Sequence, residues 1–190
     1  MDINEIINQL KNKVSKYRFE HTLRVTQTAK ELSRIHNLSH EIICKIELAS
    51  ILHDILKESS PKSLIEEDYI VRSESVSLYK NFQSVWHALE APKYINFKFN
   101  IKDTDILDAV KFHCTGNQHL NIVAKIVFIA DYIEPLRNLK DRDFLEKISK
   151  ENINKAISII VSEIYNNLKT KKQNIHPLTI SCYDYYTKYV

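Results

Sequence analysis

Ala49-Ser50-Ile51-Leu52-His53-Asp54-Ile55-Leu56-Lys57-Glu58 sets an imidazole and a carboxylate side by side inside an apolar run of helical character. Burying one such group without a partner costs a few kcal/mol, and burying it as a charge costs more. Partners must therefore come from elsewhere in the chain. His21, His113 and Asp131 each share a face with the apolar stripe of their own predicted helix, and His87 lies in a further helical segment. With the His53-Asp54 doublet they form a dispersed H…HD…H…H…D series. Such groups, arriving from different segments, satisfy one another by meeting at a metal ion.

Outward from that stretch the pattern is helical throughout. Ile3, Ile6, Ile7, Leu10 and Val14 mark a first amphipathic helix; Val25, Ala29, Leu32 and Ile35 mark a second, with His21 four residues before Val25. Ser39 is a fitting N-cap for a third helix over residues 40–56, which carries the doublet near its end. Ser60-Pro61 opens a short helix, and residues 62–80 read as a turn-rich connection with part of a helix. The next helix is expected over residues 76–91, halted by Pro92.

Asp103 caps a helix that stacks Ile106, Leu107, Val110 and His113, and Gly116 takes the left-handed position behind it. Residues 119–133 form a strongly apolar helix with Val123, Val127 and Asp131 at i+4 steps, ended by Pro135. A long helix over residues 151–168 and a tyrosine-rich last helix after His176-Pro177 complete the reading. Tyr183, Tyr185, Tyr186 and Tyr189 are expected to pack in the core, a homodimer contact or a loose tail being the alternatives. The expectation is one all-α domain spanning residues 1–190.

Composition narrows the function classes. A single glycine in 190 residues excludes a glycine-rich phosphate loop and argues against a sheet-rich fold with many tight turns. The 27 basic and 24 acidic residues are too balanced to imply a nucleic-acid surface. Cys44, Cys114 and Cys182 match no CxxC pattern, so they read as reduced, buried thiols outside the ligand set. The first ten residues carry Asp2, Asn4 and Glu5, unlike a secretory signal, and no apolar run approaches the roughly 18 residues of a membrane span. A cytoplasmic protein with no membrane partner is expected.

Adjacent helical residues point about 100° apart, so His53 and Asp54 need other helices to complete a site. A carboxylate can bridge two ions while its neighbour binds one. Imidazole with carboxylate suits iron, manganese or zinc better than calcium or magnesium. His36, His40 and His119 lie near helix ends and read as solvated or capping groups.

The flanking residues carry a resemblance. Arg18-Phe19-Glu20-His21-Thr22-Leu23-Arg24-Val25, Ile51-Leu52-His53-Asp54 with Lys57-Glu58, and Trp86-His87 are its first pieces. Lys111-Phe112-His113-Cys114-Thr115-Gly116, Phe128-Ile129-Ala130-Asp131-Tyr132-Ile133-Glu134-Pro135 with Arg137, and Ile175-His176-Pro177 follow. In this order they resemble the HD superfamily of metal-dependent phosphohydrolases, most closely its YqeK branch of bacterial symmetrical bis(5'-nucleosyl)-tetraphosphatases. The resemblance runs over about residues 18–177.

It implies an HD-type helical bundle in which His21, His53, Asp54 and Asp131 hold one metal, iron by preference with manganese or another divalent transition metal as substitutes. His87 and His113 would complete a second metal position or touch phosphate. Asp54, Lys57, His87 and His113 become the catalytic candidates. Arg18, Lys57, Glu58, His87, His113, Thr115, Arg137 and the stretch Gln173, Asn174, Ile175, His176 and Pro177 become the substrate-binding ones. The family's usual His-Thr-Thr-Gly reads His-Cys-Thr-Gly here, and Cys114 cannot supply that first threonine's hydroxyl.

The implied reaction is hydrolysis of diadenosine tetraphosphate to two ADP, by attack of a metal-bound hydroxide on an inner phosphorus. The implied partners are thus a small nucleotide substrate and its ADP product. Another nucleotide substrate, such as a nucleoside triphosphate or cyclic nucleotide, is one alternative. A non-catalytic, metal-stabilised ADP-binding module is the other.

Overall fold

Side-chain caps set most of the helix starts. Asp2 accepts from Asn4 N at the head of α1 (Ile3–Lys13), and Ser15 accepts from Arg18 N at the head of α2 (Lys16–Ile35). Ser39 accepts from Ile42 N before α3 (His40–Leu52), and Ser60 and Ser63 form a reciprocal capping box around α4 (Pro61–Ile65). After α5 (Ser73–Asn81) and α6 (Gln83–Phe99), Asp103 caps α7 (Thr104–Phe112) and Asn121 caps α8 (Ile122–Ile133). Next come α9 (Arg142–Glu151), α10 (Ile153–Thr170) behind an Asn152 cap, and α11 (Pro177–Tyr186) behind His176. Each such cap satisfies an amide that the helix leaves unpaired, at about 1 kcal/mol.

These elements belong to a computed structural model that describes residues 2–189, Tyr189 by its backbone alone. The all-α expectation holds: no strand occurs among the described residues. α2, α3, α7 and α8 pack against one another at the centre, α6 covers α7, and α10 joins α8, α9 and α11. One contiguous apolar core runs from Ile6 in α1 to Tyr186 in α11.

Several boundaries depart from the sequence reading, each for a local reason. α3 ends at Leu52 rather than at residue 56, and residues 53–58 form successive turns although Ile55 and Leu56 stay buried. Burial of those two side chains mimicked a continuing helix. The helix expected over residues 76–91 is two helices, divided at Phe82, whose φ of −140° and ψ of 51° leave the helical region. Pro92 lies inside α6 instead of ending it.

An interior proline costs about 3 kcal/mol, and burial of Trp86, Tyr94, Ile95 and Phe99 along the same helix offsets it. α6 is also tethered by a buried network in which Trp86 Nε1 donates to Ser75 Oγ (2.8 Å), and Tyr69 and Ser75 donate to Glu90. The apolar helix expected from residue 119 starts at Ile122. α9 was not foreseen, and the segment expected as one helix from residue 151 begins at Ile153 because Asn152 is extended. Tyr186 is buried and Tyr183 stacks on Tyr165 at 4.2 Å, as expected of core aromatics; the side chain of Tyr189 lies outside the described residues.

Gly116 has φ +64°, the left-handed position assigned to it, and a β-carbon there would overlap Cys182 of α11. Gly116→Ala is therefore expected to lower unfolding free energy by roughly 1–3 kcal/mol, from the strained φ and overpacking together. Urea denaturation measures it, and an unchanged midpoint contradicts this packing.

Candidate metal centre

Two helix ends present the central ligands in the same way. An α-helix leaves its last carbonyls unpaired. At the end of α3, His53 directs Nδ1 to Ser50 O (2.6 Å); at the end of α7, His113 directs Nδ1 to Val110 O (2.7 Å). A carbonyl only accepts, so each Nδ1 donates a hydrogen there and each Nε2 is turned inward, where it can ligate once it carries no proton. The next residue in each case, Asp54 and Cys114, turns toward the same interior point.

α2 and α8 complete one side. His21 Nε2 lies 3.1 Å from Asp131 Oδ1 and 3.7 Å from Asp54 Oδ2, and His53 Nε2 lies 3.4 Å from Asp54 Oδ2 and 3.9 Å from Asp131 Oδ1. On the other side, Asp54 Oδ1 lies 3.1 Å from His87 Nε2 and 3.3 Å from His113 Nε2, which are 3.3 Å from each other. Asp54 thus offers one oxygen to each imidazole pair. His21, Asp54, His87 and His113 are each 3% exposed, and His53 is fully buried. Despite these short distances, His21 Nε2, His53 Nε2 and Asp54 Oδ1 have no aligned hydrogen-bond partner. Buried polar atoms are rarely left so. Imidazole nitrogens and carboxylate oxygens that converge without aligned hydrogen bonds between them fit a divalent cation.

Neighbouring groups keep the two central carboxylates ionised. Burial alone would push Asp54 up, but His53, His113 and His87 outweigh it and hold its carboxyl well below the ordinary range. Arg18 donates to Asp54 Oδ2 at 2.6 Å. Burial likewise pushes Asp131 up, and His21, His53 and Arg137 hold it down, with Arg137 donating at 3.2 Å. Lys57 Nζ reaches His87 Nε2 at 3.2 Å. Burial would raise the Cys114 thiol, yet His113, His87 and Lys57 hold it well below its usual value. Burial would lower His113, while Cys114 and Asp54 raise it well above the imidazole range.

The structure brings together His21, His53, Asp54, His87, His113 and Asp131, with Arg18, Lys57 and Arg137 beside them. Glu58 is engaged elsewhere: its oxygens accept from Ser15 N (2.7 Å) and Oγ (2.6 Å), which ties the head of α2 to the turns after His53. Thr115 is buried, and its hydroxyl donates to Gly116 O. Gln173 and Asn174 are exposed, and Pro177 starts α11. His176 caps α11 and sets its ring edge-on to Phe82 at 4.9 Å. A cleft of about 190 Å³ lined by Phe82, Val85, Asn174 and His176 opens beside Cys114.

Two participants escaped the sequence reading. Glu134, buried and 3.5 Å from His21 Nδ1, is itself held by Arg24 (2.7 Å) and by Leu136 N (3.0 Å). A carboxylate behind a ligating imidazole orients it and raises its basicity. Cys114, placed outside the ligand set, is a half-buried thiol at the centre, and Cys44, expected buried, is exposed. His36 is not merely solvated, since its Nε2 contacts Ser149 O at 2.7 Å.

A family profile described as "HD domain" matches residues 18–136, from the arginine before His21 to the residue before Arg137. The chain belongs to the HD domain family. HD domains hold divalent metal, and the matched span contains the helix-end doublet His53-Asp54, part of a His/Asp cluster that could hold one. Among curated relatives, "Bis(5'-nucleosyl)-tetraphosphatase, symmetrical" of Halalkalibacterium halodurans is 31% identical, covering 97% of this chain and 96% of its own. The proteins of the same name from Staphylococcus aureus and Bacillus subtilis are 30% and 27% identical, again nearly end to end. A solved structure, a predicted HD superfamily hydrolase involved in NAD metabolism from Clostridium acetobutylicum, superposes with a TM-score of 0.84 at 29% identity, covering 100% of this chain and 99% of its own.

Because Asp54 faces both imidazole pairs, Asp54→Ala is expected to remove more bound metal than Asp131→Ala, by elemental analysis after gel filtration; equal content in both variants and the unmodified protein contradicts the shared ligand. Glu134→Gln leaves every ligand in place and is expected to weaken metal binding about 10–100-fold. Competition with a chelator of known affinity reads this out.

Proposed function

We propose that this HD domain hydrolyses diadenosine tetraphosphate symmetrically, giving two ADP. The observation that carries the reading is the shared Asp54 carboxylate, with an imidazole pair on each side within 3.1–3.7 Å and two cations, Arg18 and Lys57, beside it. Three relatives named for this activity, similar over nearly the whole chain, support the choice of substrate. Iron is the proposed ion, with manganese or another divalent transition metal as a substitute, in keeping with the imidazole and carboxylate donors. Divalent metal in this position supplies an activated water near neutral pH and neutralises phosphate charge.

The chain's own residues do the rest. His21, His53, Asp54 and Asp131 make the first metal position, and Asp54, His87 and His113 the second. Two carboxylate ligands, Asp54 and Asp131, stand against Arg18, Lys57 and Arg137. The balance is positive before any metal is counted, which suits a polyphosphate with several negative charges. Lys57 and Arg137 stand partly or fully open to solvent, where they can meet phosphate oxygens; charge stabilisation of this kind is the main catalytic term in phosphoryl transfer. Phe82 and His176, in the cleft beside Cys114, offer ring surfaces for a base and Asn174 a polar group beside them, with Gln173, Ile175 and Pro177 flanking in the same stretch. Thr115 and Glu58 take positioning roles, one in the turn after His113 and the other at the head of α2.

The protein is proposed to act in the cytoplasm on small nucleotides. No helix among the described residues is long and apolar enough to cross a membrane. The deciding assay incubates metal-loaded protein with diadenosine tetraphosphate and resolves the nucleotides by anion exchange. ADP as sole product is expected. AMP with ATP means asymmetric cleavage and overturns the reading, as does bound ADP with no turnover.

A further inference from the structure

His113-Cys114 repeats the construction of His53-Asp54. In both, a histidine follows the last helical residue and fixes its ring on the carbonyl three residues back. In both, the next residue turns into the centre, where Asp54 serves as a ligand. Cys114 Sγ lies 3.1 Å from His113 Nε2 and 3.3 Å from His87 Nε2, while those nitrogens lie 3.3 Å apart. Asp54 Oδ1 stands 3.1 and 3.3 Å from the same nitrogens. Hence five of the six separations among these four donors fall in one narrow range. Metal–nitrogen bonds of about 2.1 Å and a metal–sulfur bond of about 2.3 Å put donors roughly 3.0–3.6 Å apart, between octahedral and tetrahedral angles.

The second observation is independent of the cysteine. Asp54 Oδ1 is buried, aimed at this point and without a hydrogen-bond partner. From this geometry we propose that Cys114 is a thiolate ligand, with His87, His113 and Asp54, of a metal ion at the second position. The thiol proton leaves to solvent when the ion binds, and no other bond changes. Sulfur selects softer ions, so this position is built for zinc, iron(II), cobalt(II) or cadmium over manganese and magnesium. Lys57 borders the point, and its side chain, 31% exposed, leads outward to solvent. The inference rests on the metal centre described above and not on the identity of the nucleotide.

The test uses the whole chain in a Cys44→Ser background, which removes the exposed thiol near His40. Cobalt(II) is titrated into this protein and into the same protein carrying Cys114→Thr or Cys114→Ser. Without the second replacement, a near-ultraviolet thiolate-to-cobalt charge-transfer band is expected to grow with the visible d–d bands. Either Cys114 variant is expected to keep d–d absorption from the first position and lose the charge-transfer band. Competition between cadmium and manganese is expected to shift toward manganese by about tenfold or more in Cys114→Thr. Cobalt d–d bands without charge transfer in the Cys44→Ser protein overturn the thiolate ligand and leave the metal centre standing. A charge-transfer band that survives Cys114→Thr overturns it in the same way. No cobalt bound by any of the proteins overturns both.

Discussion

One buried carboxylate is shared between two pairs of imidazoles, and the central helices are placed by that sharing. Asp54 must bring one oxygen to His21 of α2 and His53 behind α3, and the other to His87 of α6 and His113 behind α7. Four segments distant in sequence thereby meet around one carboxylate. Burial of so many polar groups is unfavourable unless each finds a partner. Here three of the converging atoms have none from the protein. The cost is offset when a cation binds the folded chain and not the unfolded one, which adds stability by mass action. The apolar core around the site, from Val25 and Ala29 to Val127 and Ile129, makes that arrangement affordable by burying enough area for the fold to carry an imperfect centre.

The ligands gain their precision from backbone groups that helices leave over. Ser50 O and Val110 O belong to the last turns of α3 and α7, where carbonyls have no amide to accept from. Accepting a hydrogen bond from His53 and His113 satisfies those carbonyls and fixes both rings at once. His21 is held differently, by Glu134, which answers in turn to Arg24. Glu58 clamps Ser15 at the start of the helix that carries Arg18 and His21, so two ligand-bearing segments are tied together outside the centre. Each contact is ordinary in energy, near 1 kcal/mol for a hydrogen bond and more with a charge. Their value lies in removing rotational freedom from groups that must meet at one point.

Periodicity and burial cost were enough to read an all-helical chain and its six converging residues. His21 and Asp131 fell on apolar stripes, and the only reason for polar groups there is each other. Helix limits were less legible. Ile55 and Leu56 are buried whether the backbone is helix or turn, so their pattern could not mark the end of α3 at Leu52. Pro92 was taken as a stop because propensity is local, whereas the burial of Trp86 and Tyr94 that overrides it is tertiary. α9 starts after Asp141 without a side-chain cap, and so gave no start signal. Cys114 was set aside because it matched no spacing motif; its site is made by α6 and α7 meeting, which spacing does not encode.

The cations complete the logic of the centre from its rim. Arg18 and Arg137 each bind a carboxylate of the centre, and Lys57 meets an imidazole. Arg137 helps to hold Asp131 as an anion, while the imidazoles do so for Asp54, and all three cations stand beside the point where charge builds up on a substrate. Residues on the surface alone would be screened within a Debye length of about 8 Å at physiological salt. Arg18, half-buried against Asp54, is shielded from that screening far more than Arg137, which is exposed. The inner cation thus acts mainly on the ligand, and the outer ones on whatever arrives from solvent. A gradient of burial from Arg18 through Lys57 to Arg137 divides one charge set between building the centre and receiving an anion.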